Sequence, residues 1–419
     1  MILNLVQLST DMQTSTHSPA RVWLIVTVAA LGYFVDIYDL IIFSIVRVQS
    51  FRDIGIAEDQ MRSYGEYVLN MQMGGLLIGG ILWGMLGDKI GRIKVLFGSI
   101  VLYSLANIAN AYVQDVHHYA IIRFIAGIGL AGELGAGVTL VSESMDKKKR
   151  GYGTMLIAGI GVLGAVAAFY VSEWFAWRNA YLVGGAMGIG LLLLRVGTFE
   201  SKLFTKTMKQ PVEKGTIRLL FATKERALRY LYCLLIGLPI WFVVGVLVTQ
   251  APEFGKALHA SEPLSAGQGI LFTYIGISLG DILAGLLAQW TKSRKTAVFL
   301  FQLLILISGG LYLSSTGLTT VQFHYLAFFM GLSVGYWATF VTISSEQFGT
   351  NLRATVTTTA PNFVRGALIP STFLFGMMVD WWGMRMGAMA TLLMLTGVAI
   401  FALSRLKESF DKDLDYLEN

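Results

Sequence analysis

Charge is scarce in this chain. Only 14% of its 419 residues are Asp, Glu, Lys or Arg, against 55% of hydrophobic type and a mean hydropathy of +0.62. An average soluble domain is about a quarter charged. A water-soluble globule of this size could not cover its surface, so soluble enzymes, disordered chains and nucleic-acid binders are excluded. Cysteine occurs once, at Cys233, and forms no internal disulfide. No Gly-rich loop with a Lys and Ser/Thr is present to cradle a nucleotide, which argues against ATP as the energy source. His117 and His118 are adjacent and match no metal-ligand spacing. Neither metal nor cofactor is expected. Proline is rare, at 7 residues, while glycine reaches 46, as in bundles of closely packed apolar helices.

What is abundant is long apolar runs. A helix needs roughly 20 apolar residues to cross the hydrocarbon core of a bilayer. Twelve stretches qualify: 21–46, 67–87, 94–113, 118–142, 152–174, 179–198, 229–250, 267–289, 296–315, 322–344, 355–379 and 385–405. The first is longer than a signal-peptide core and lacks a basic leader, so it reads as a retained span. The expected class is an all-α membrane protein of twelve transmembrane helices.

Lys and Arg orient it. Of the 32, 23 fall in segments on one side of the membrane, six on the other (Arg47, Arg52, Arg62, Arg178, Lys256 and Arg385), and three inside spans (Arg123, Arg195 and Arg365). This asymmetry predicts cytoplasmic termini and explains most of the +6 net charge without a nucleic-acid partner.

The chain also divides in the middle. Residues 199–228 form its one long polar connection, between six-helix bundles at 21–198 and 229–405, with a cytoplasmic leader over 1–20 and a tail over 406–419. Gly84-x3-Asp88 recurs as Gly285-x3-Gln289, Glu143-x6-Arg150 as Glu346-x6-Arg353, and Trp177 as Trp381, at offsets of 201, 203 and 204. Three landmarks in one order predict two pseudo-symmetric repeats, as in secondary transporters. Trp174, Trp177, Trp381 and Trp382 are expected in the interfacial belts.

Ionisable residues inside a membrane are costly and usually face a partner or a cavity. The deep set here is Asp36, Asp39, Arg123, Glu133, Asp281 and Arg365. At 1.5 Å rise per residue, Asp39 in span 1 and Arg123 in span 4 reach similar depths, so an Asp–Arg contact between these spans is expected. Asp36 lies one turn deeper on the same face and is the preferred proton carrier. Glu133 reads either as a second proton site, a polar contact to substrate or a structural carboxyl. Asp281 and Arg365 lie at matching depths and either pair with each other or bind substrate. In the second case Arg365 would take an anionic group, since a guanidinium holds a carboxylate by two parallel hydrogen bonds. Asn362 shares its face, and Pro361 is expected to bend the span. Tyr38, Trp241, Tyr336 and Trp337, with Tyr33, form a midplane aromatic set that suits either helix packing or a ring-binding box.

The run Gly84-Met-Leu-Gly-Asp88-Lys-Ile-Gly-Arg92-Ile-Lys94, between spans 2 and 3, resembles the signature loop of the major facilitator superfamily. The resemblance covers the whole chain. Arg123-Phe-Ile-Ala-Gly-Ile-Gly-Leu-Ala-Gly-Glu133 is similar to the fourth span of sugar porters and metabolite–proton symporters, and Asp36-Ile-Tyr-Asp39 to the acidic first-span motif of metabolite and aromatic-acid symporters. The second signature loop departs from the pattern, with Gln289 in place of the acid. The resemblance implies a cavity lined by spans 1, 4, 7 and 10. It also implies proton coupling through a span-1 acid acting with a span-4 arginine, and cytoplasmic gates at Asp88/Arg92, Glu143/Arg150 and Glu346/Arg353. Exposed pairs of this kind contribute about 0–1 kcal/mol, which suits an equilibrium reversed in every cycle. Span 5 lacks the Gly-Pro motif of drug–proton antiporters.

The expected function is proton-coupled import of a small polar metabolite, an organic acid or zwitterion, by alternating access. A sugar or polyol symporter is the alternative, ahead of a polycarboxylate metal-carrier transporter, an efflux antiporter and a non-transporting membrane sensor. The expected partners are a small-molecule substrate, protons and the lipid bilayer. A monomer in a bacterial inner membrane is expected.

Overall fold

The computed structural model describes residues 19–90, 92–133, 150–199, 217–410 and 418. Inside hydrocarbon every backbone N–H and C=O must find its partner within the chain, and the apolar runs accordingly fold as helices. The first half comprises α1 (Pro19–Asp53), α2 (Met61–Ile90), α3 (Arg92–Asn110), α4 (Val116–Leu130), α5 (Arg150–Trp174) and α6 (Trp177–Phe199). The second comprises α7 (Lys224–Val248), α8 (Ala266–Thr291), α9 (Arg294–Ser314), α10 (Thr320–Glu346), α11 (Thr350–Gly366, continuing over 368–382) and α12 (384–405). Gly383, with φ 74°, reverses the chain between the last two. Among the described residues the count is therefore twelve, as the apolar runs require.

Polar residues stop the helices where the chain meets water. The Asp115 carboxylate accepts from the His117 and His118 amides at 2.9 and 3.0 Å and starts α4. Ser265 and Ser293 cap α8 and α9, and Thr319 with Gln322 forms a reciprocal capping box on α10.

Packing repeats between the halves. In the first, α2 lies against α4; in the second, α8 lies against α10. A Cβ at Gly75 would overlap the Phe124 carbonyl oxygen, and one at Gly127 the Gln72 carbonyl oxygen. A Cβ at Gly276 would likewise overlap the Phe328 oxygen, and one at Gly331 the Thr273 oxygen. Gly75 recurs as Gly276 and Gly127 as Gly331, at offsets of 201 and 204, two of the offsets of the sequence landmarks. Small residues let the helix backbones touch, and the same crossing is built twice. The two halves meet along α2 against α11 and α5 against α8.

Two expectations are corrected. Span 10 is not continuous: α10 runs Thr320–Val334 and resumes at Trp337. It breaks where Gly335 is pressed against Gly280, whose Cα would lie 2.6 Å from a Cβ at Gly335. Pro361 lies inside the helical segment Thr350–Gly366, and an interruption follows at Ala367, two residues beyond Arg365. Trp177 is not in a belt. It is 3% exposed, stacks on Tyr119 and donates to Asp53 at 3.2 Å, whereas Trp174, Trp381 and Trp382 are exposed.

Gly331→Ala is expected to destabilise the protein by about 1–3 kcal/mol through backbone overlap. Gly310→Ala, with no atom within 4 Å of its new Cβ, should leave thermal unfolding in detergent unchanged. Equal melting temperatures for the two variants would refute the close crossing.

Candidate functional site

The in-span charges separate into three centres. The first lies within the first half. The Arg123 Nη1 donates to the Asp39 backbone carbonyl at 3.2 Å and its Nη2 to Asn107 Oδ1 at 2.7 Å, with the Tyr181 ring 5.0 Å away. Spans 1 and 4 meet here as expected, but through a carbonyl. Both Asp39 carboxylate oxygens are buried without a hydrogen-bond partner among the described residues.

The second centre also lies within the first half. Glu133, just past the end of α4, receives Arg195 Nη1 from α6 on both oxygens, at 2.7 and 3.0 Å, with both residues buried. Gly32 on α1 leaves room for the arginine, since any Cβ there would overlap its Nη2. This pair was not foreseen. Arg195 was visible as a lone charge in span 6, but Glu133 lies 62 residues away.

The third centre joins the halves. Arg365 of α11, 1% exposed, reaches across to Asp36 of α1, 0% exposed, with Nη2 to Oδ2 at 3.8 Å. The guanidinium is flanked by the rings of Trp241 and Trp337, 5.7 and 5.8 Å from its carbon, which stand edge-to-face with each other. Asn362, one turn earlier on α11, donates to the Ala131 carbonyl of the first half at 3.1 Å. Tyr33 lies one turn before Asp36, its ring seated where Gly161 of α5 has no side chain. Several polar groups at this centre have no hydrogen-bond partner among the described residues: both Asp36 oxygens, Arg365 Nε and Nη1, Trp241 Nε1 and Asn362 Oδ1. Buried polar groups in proteins are almost always satisfied. Here the unsatisfied groups cluster at the meeting of the two bundles.

Other expected residues stand elsewhere. Asp281 does not pair with Arg365; it accepts from the Ala338 amide at 2.9 Å and caps the second segment of α10. The break in that span exposes an N-terminus with free amides, and the α8 carboxylate answers it. Tyr38 donates to the Ala180 carbonyl at 2.7 Å and Tyr336 to the Ile236 carbonyl at 2.8 Å, so each hydroxyl holds its own half together instead of facing a substrate. Glu346 is bound on both oxygens by Arg294 of α9, at 2.6 and 2.8 Å, and not by Arg353, which donates to the Phe348 carbonyl at 3.4 Å. Arg294 starts the helix beside that carboxylate, so the pair lies within the second half. Glu143 and the side chains of Asp88, Arg92 and Arg150 lie outside the described residues.

A seam at the end of the bundle remote from the termini was also missed. Arg47, counted from sequence as a loop charge, is 1% exposed and grips both Glu253 oxygens at 2.6 and 2.8 Å, together with the Met61 and Thr249 carbonyls. Gln250 donates to Glu66, and Asn70 to Thr372. All but the Met61 contact run between halves and close that end.

Twelve membrane helices in two repeats around a charged interface centre define a secondary-transporter scaffold. The chain belongs to the Major Facilitator Superfamily, whose family model matches residues 22–367. It is similar to the 3-(3-hydroxy-phenyl)propionate transporter of Escherichia coli strain K12, 27% identical over 353 residues that cover 80% of this chain and 85% of that one. It is also similar to the 4-hydroxybenzoate transporter PcaK of Acinetobacter baylyi, 30% identical over 177 residues that cover 41% of this chain and 38% of that one. In fold it matches the xylose transporter XylE from E. coli in a partially occluded inward open conformation, with TM-score 0.70 and 17% identity over 94% of this chain and 100% of that chain. The protein is an integral membrane transporter of small metabolites and not an enzyme.

Removing one partner of a buried ion pair costs roughly 3–5 kcal/mol, because it leaves the other charge uncompensated. Glu133→Gln should therefore lower thermal stability markedly, and Glu133→Gln with Arg195→Met should recover most of it. A Glu133→Gln protein as stable as wild type would show that Glu133 is not a structural anchor.

Proposed function

We propose that this transporter imports a small organic acid together with protons, by alternating exposure of the centre between α1, α7, α10 and α11. The observation that carries the proposal is Arg365, fully buried at the meeting of the two halves with Nε and Nη1 unpartnered and two Trp rings beside it. Each is a buried charged donor to which a carboxylate oxygen can bind, while Nη2 is turned toward Asp36. The Trp pair supplies apolar faces for a planar ring, and Trp241 Nε1 a further donor. The substrate class that fits is an aromatic or heteroaromatic monocarboxylate, in keeping with the transporters of hydroxyphenylpropionate and hydroxybenzoate to which the chain is similar.

The bundles over 21–198 and 229–405 act as two rigid bodies, with 199–228 as the tether. Protons couple through the acids of α1. The termini face the cytoplasm of a bacterial cell, which places the Arg47–Glu253 seam outside. Asp88/Arg92 and Glu143/Arg150 serve the cytoplasmic gate. One chain contains the whole site and works as a monomer.

In proteoliposomes with an inwardly directed proton gradient, acid outside, 4-hydroxybenzoate or nicotinate is expected to accumulate and the exterior to become more alkaline, while xylose does not move. Arg365→Lys should weaken uptake affinity about tenfold or more, since a point charge replaces the two-pronged fork. Gradient-driven accumulation of xylose with none of either acid would overturn the organic-acid reading.

A further inference from the structure

The first half carries a groove on its outer, bilayer-facing side that the transport reading does not use. Trp83 of α2, Phe97, Val101 and Leu105 of α3, and Leu192 and Val196 of α6 line it, around a volume of about 520 Å³. Val101, Leu105 and Val196 are exposed, so the groove opens on the surface of the bundle. It shares no residue with the centre around Arg365.

Two details shape it. Gly98 has no side chain, and a Cβ there would stand 3.3 Å from Trp83 Cη2, so the indole and the α3 backbone form the floor together. Trp83 Nε1 donates to the Ile128 carbonyl of α4 at 2.6 Å, which ties up the one polar atom of the ring. The remaining lining side chains are hydrocarbon. At 1.5 Å rise per residue, Phe97 to Leu105 spans about 12 Å, most of one half of the roughly 30 Å hydrocarbon core.

Lys94 stands at the head of this groove. It precedes Gly98, Val101 and Leu105 by four, seven and eleven residues, which is one face of a helix, and it is exposed. No acid pairs with it among the described residues. It is the third residue of α3, in the turn whose amides have no partner within the helix and where an anion is favoured. The end of α3 that carries it lies on the side of the termini, since α2 starts beside the Arg47 seam, at the Met61 carbonyl, and hands over to α3 at the opposite end.

The second half does not repeat these parts. At offsets of 201 and 202, Ala284 stands for Trp83 and Leu300 for Gly98. Lys295, at the start of α9, has its ammonium on the Leu406 carbonyl at 2.6 Å. A lysine held by its own chain is not presented to a headgroup, whereas Lys94 is.

We propose that the groove between α2, α3 and α6 binds an anionic glycerophospholipid of the leaflet on the side of the termini. One acyl chain lies along Trp83, Val101 and Leu105, and the phosphate sits on Lys94 and the first amides of α3. The apolar walls accept any acyl chain, and the cation at their head selects for negative charge. The site goes beyond the transport reading and does not depend on it.

The test uses the purified full chain in detergent. Retained lipid is measured by native mass spectrometry with dioleoylphosphatidylglycerol and dioleoylphosphatidylcholine, which differ only in the headgroup. Phosphatidylglycerol is expected to bind about tenfold more tightly. Lys94→Gln should abolish that preference and leave the choline lipid unaffected. Val101→Trp, which fills the groove from an exposed position, should weaken both lipids. Lys292→Gln, an exposed basic residue on the same side of the second half, should change neither. Thermal unfolding gives the second readout: Lys94→Gln should keep the melting temperature of the lipid-free protein and lose the rise that phosphatidylglycerol produces. The proposal falls if the two lipids bind alike, if the preference survives Lys94→Gln or is lost equally in Lys292→Gln, or if Val101→Trp leaves both affinities unchanged. It falls as well if the groove is covered by a second copy of the chain, seen as a dimer free of retained lipid.

Discussion

A guanidinium buried in a membrane protein needs an anion or several carbonyl oxygens within reach, and the way each arginine meets that demand organises this structure. Arg195 is held by Glu133 at 2.7 Å inside the first half. Arg123 is held by the Asp39 carbonyl and Asn107, again inside the first half. Arg47 is clamped on Glu253 at 2.6 Å at the end remote from the termini. Arg365 has the loosest tie, 3.8 Å from Asp36, with two of its nitrogens unpartnered among the described residues. The two tight pairs within a bundle give it rigidity. The tight pair between bundles lies at the end remote from the termini, and the loose one leaves guanidinium donors without a partner among the described residues.

Rigidity of the bundles has a second source, the twice-built helix crossing. At Gly75 and Gly127, and again at Gly276 and Gly331, backbone meets backbone with no side chain between. Such contacts cannot slide without overlap, because the facing carbonyl oxygens leave no free volume. The polar contacts between the bundles run through side chains, to other side chains or to backbone carbonyls. Asn70 with Thr372, Gln250 with Glu66 and Arg47 with Glu253 are all exchangeable polar contacts. Each is a side-chain contact whose partners water could also satisfy.

The asymmetry between the halves is chemical more than architectural. Polar pairs brace the first half from within, at Asp39–Arg123 and Glu133–Arg195. The second half carries a broken α10, an Asp281 that caps the break, and the Trp pair around Arg365. Interrupted helices inside a membrane are tolerated only where another group satisfies the freed backbone, and Asp281 does so. The half that supplies the guanidinium thus carries an interrupted helix, and in the first half α4 likewise gives way to a turn at Ala131–Gly132.

The twelve helices, their division into two repeats and the presence of a transporter were legible in the sequence, because apolar run length and repeat offset are one-dimensional quantities. So was the list of deep charges, since any ionisable residue inside an apolar run stands out. Their pairing was not. Depth along a helix follows from residue number, and Arg123 did meet α1 at the expected level. The rotation of each helix about its axis, which selects Arg365 over Arg123 for Asp36 and Ala338 over Arg365 for Asp281, is set by how neighbouring helices pack. Arg47 and Arg195 were hidden for the same reason: their carboxylates lie 206 and 62 residues away. Composition and periodicity determined that this chain must cross a membrane twelve times with charges inside it. Only the tertiary structure decided which charges face each other across the moving interface, because that depends on the azimuth of every helix, and azimuth is a property of the packed bundle.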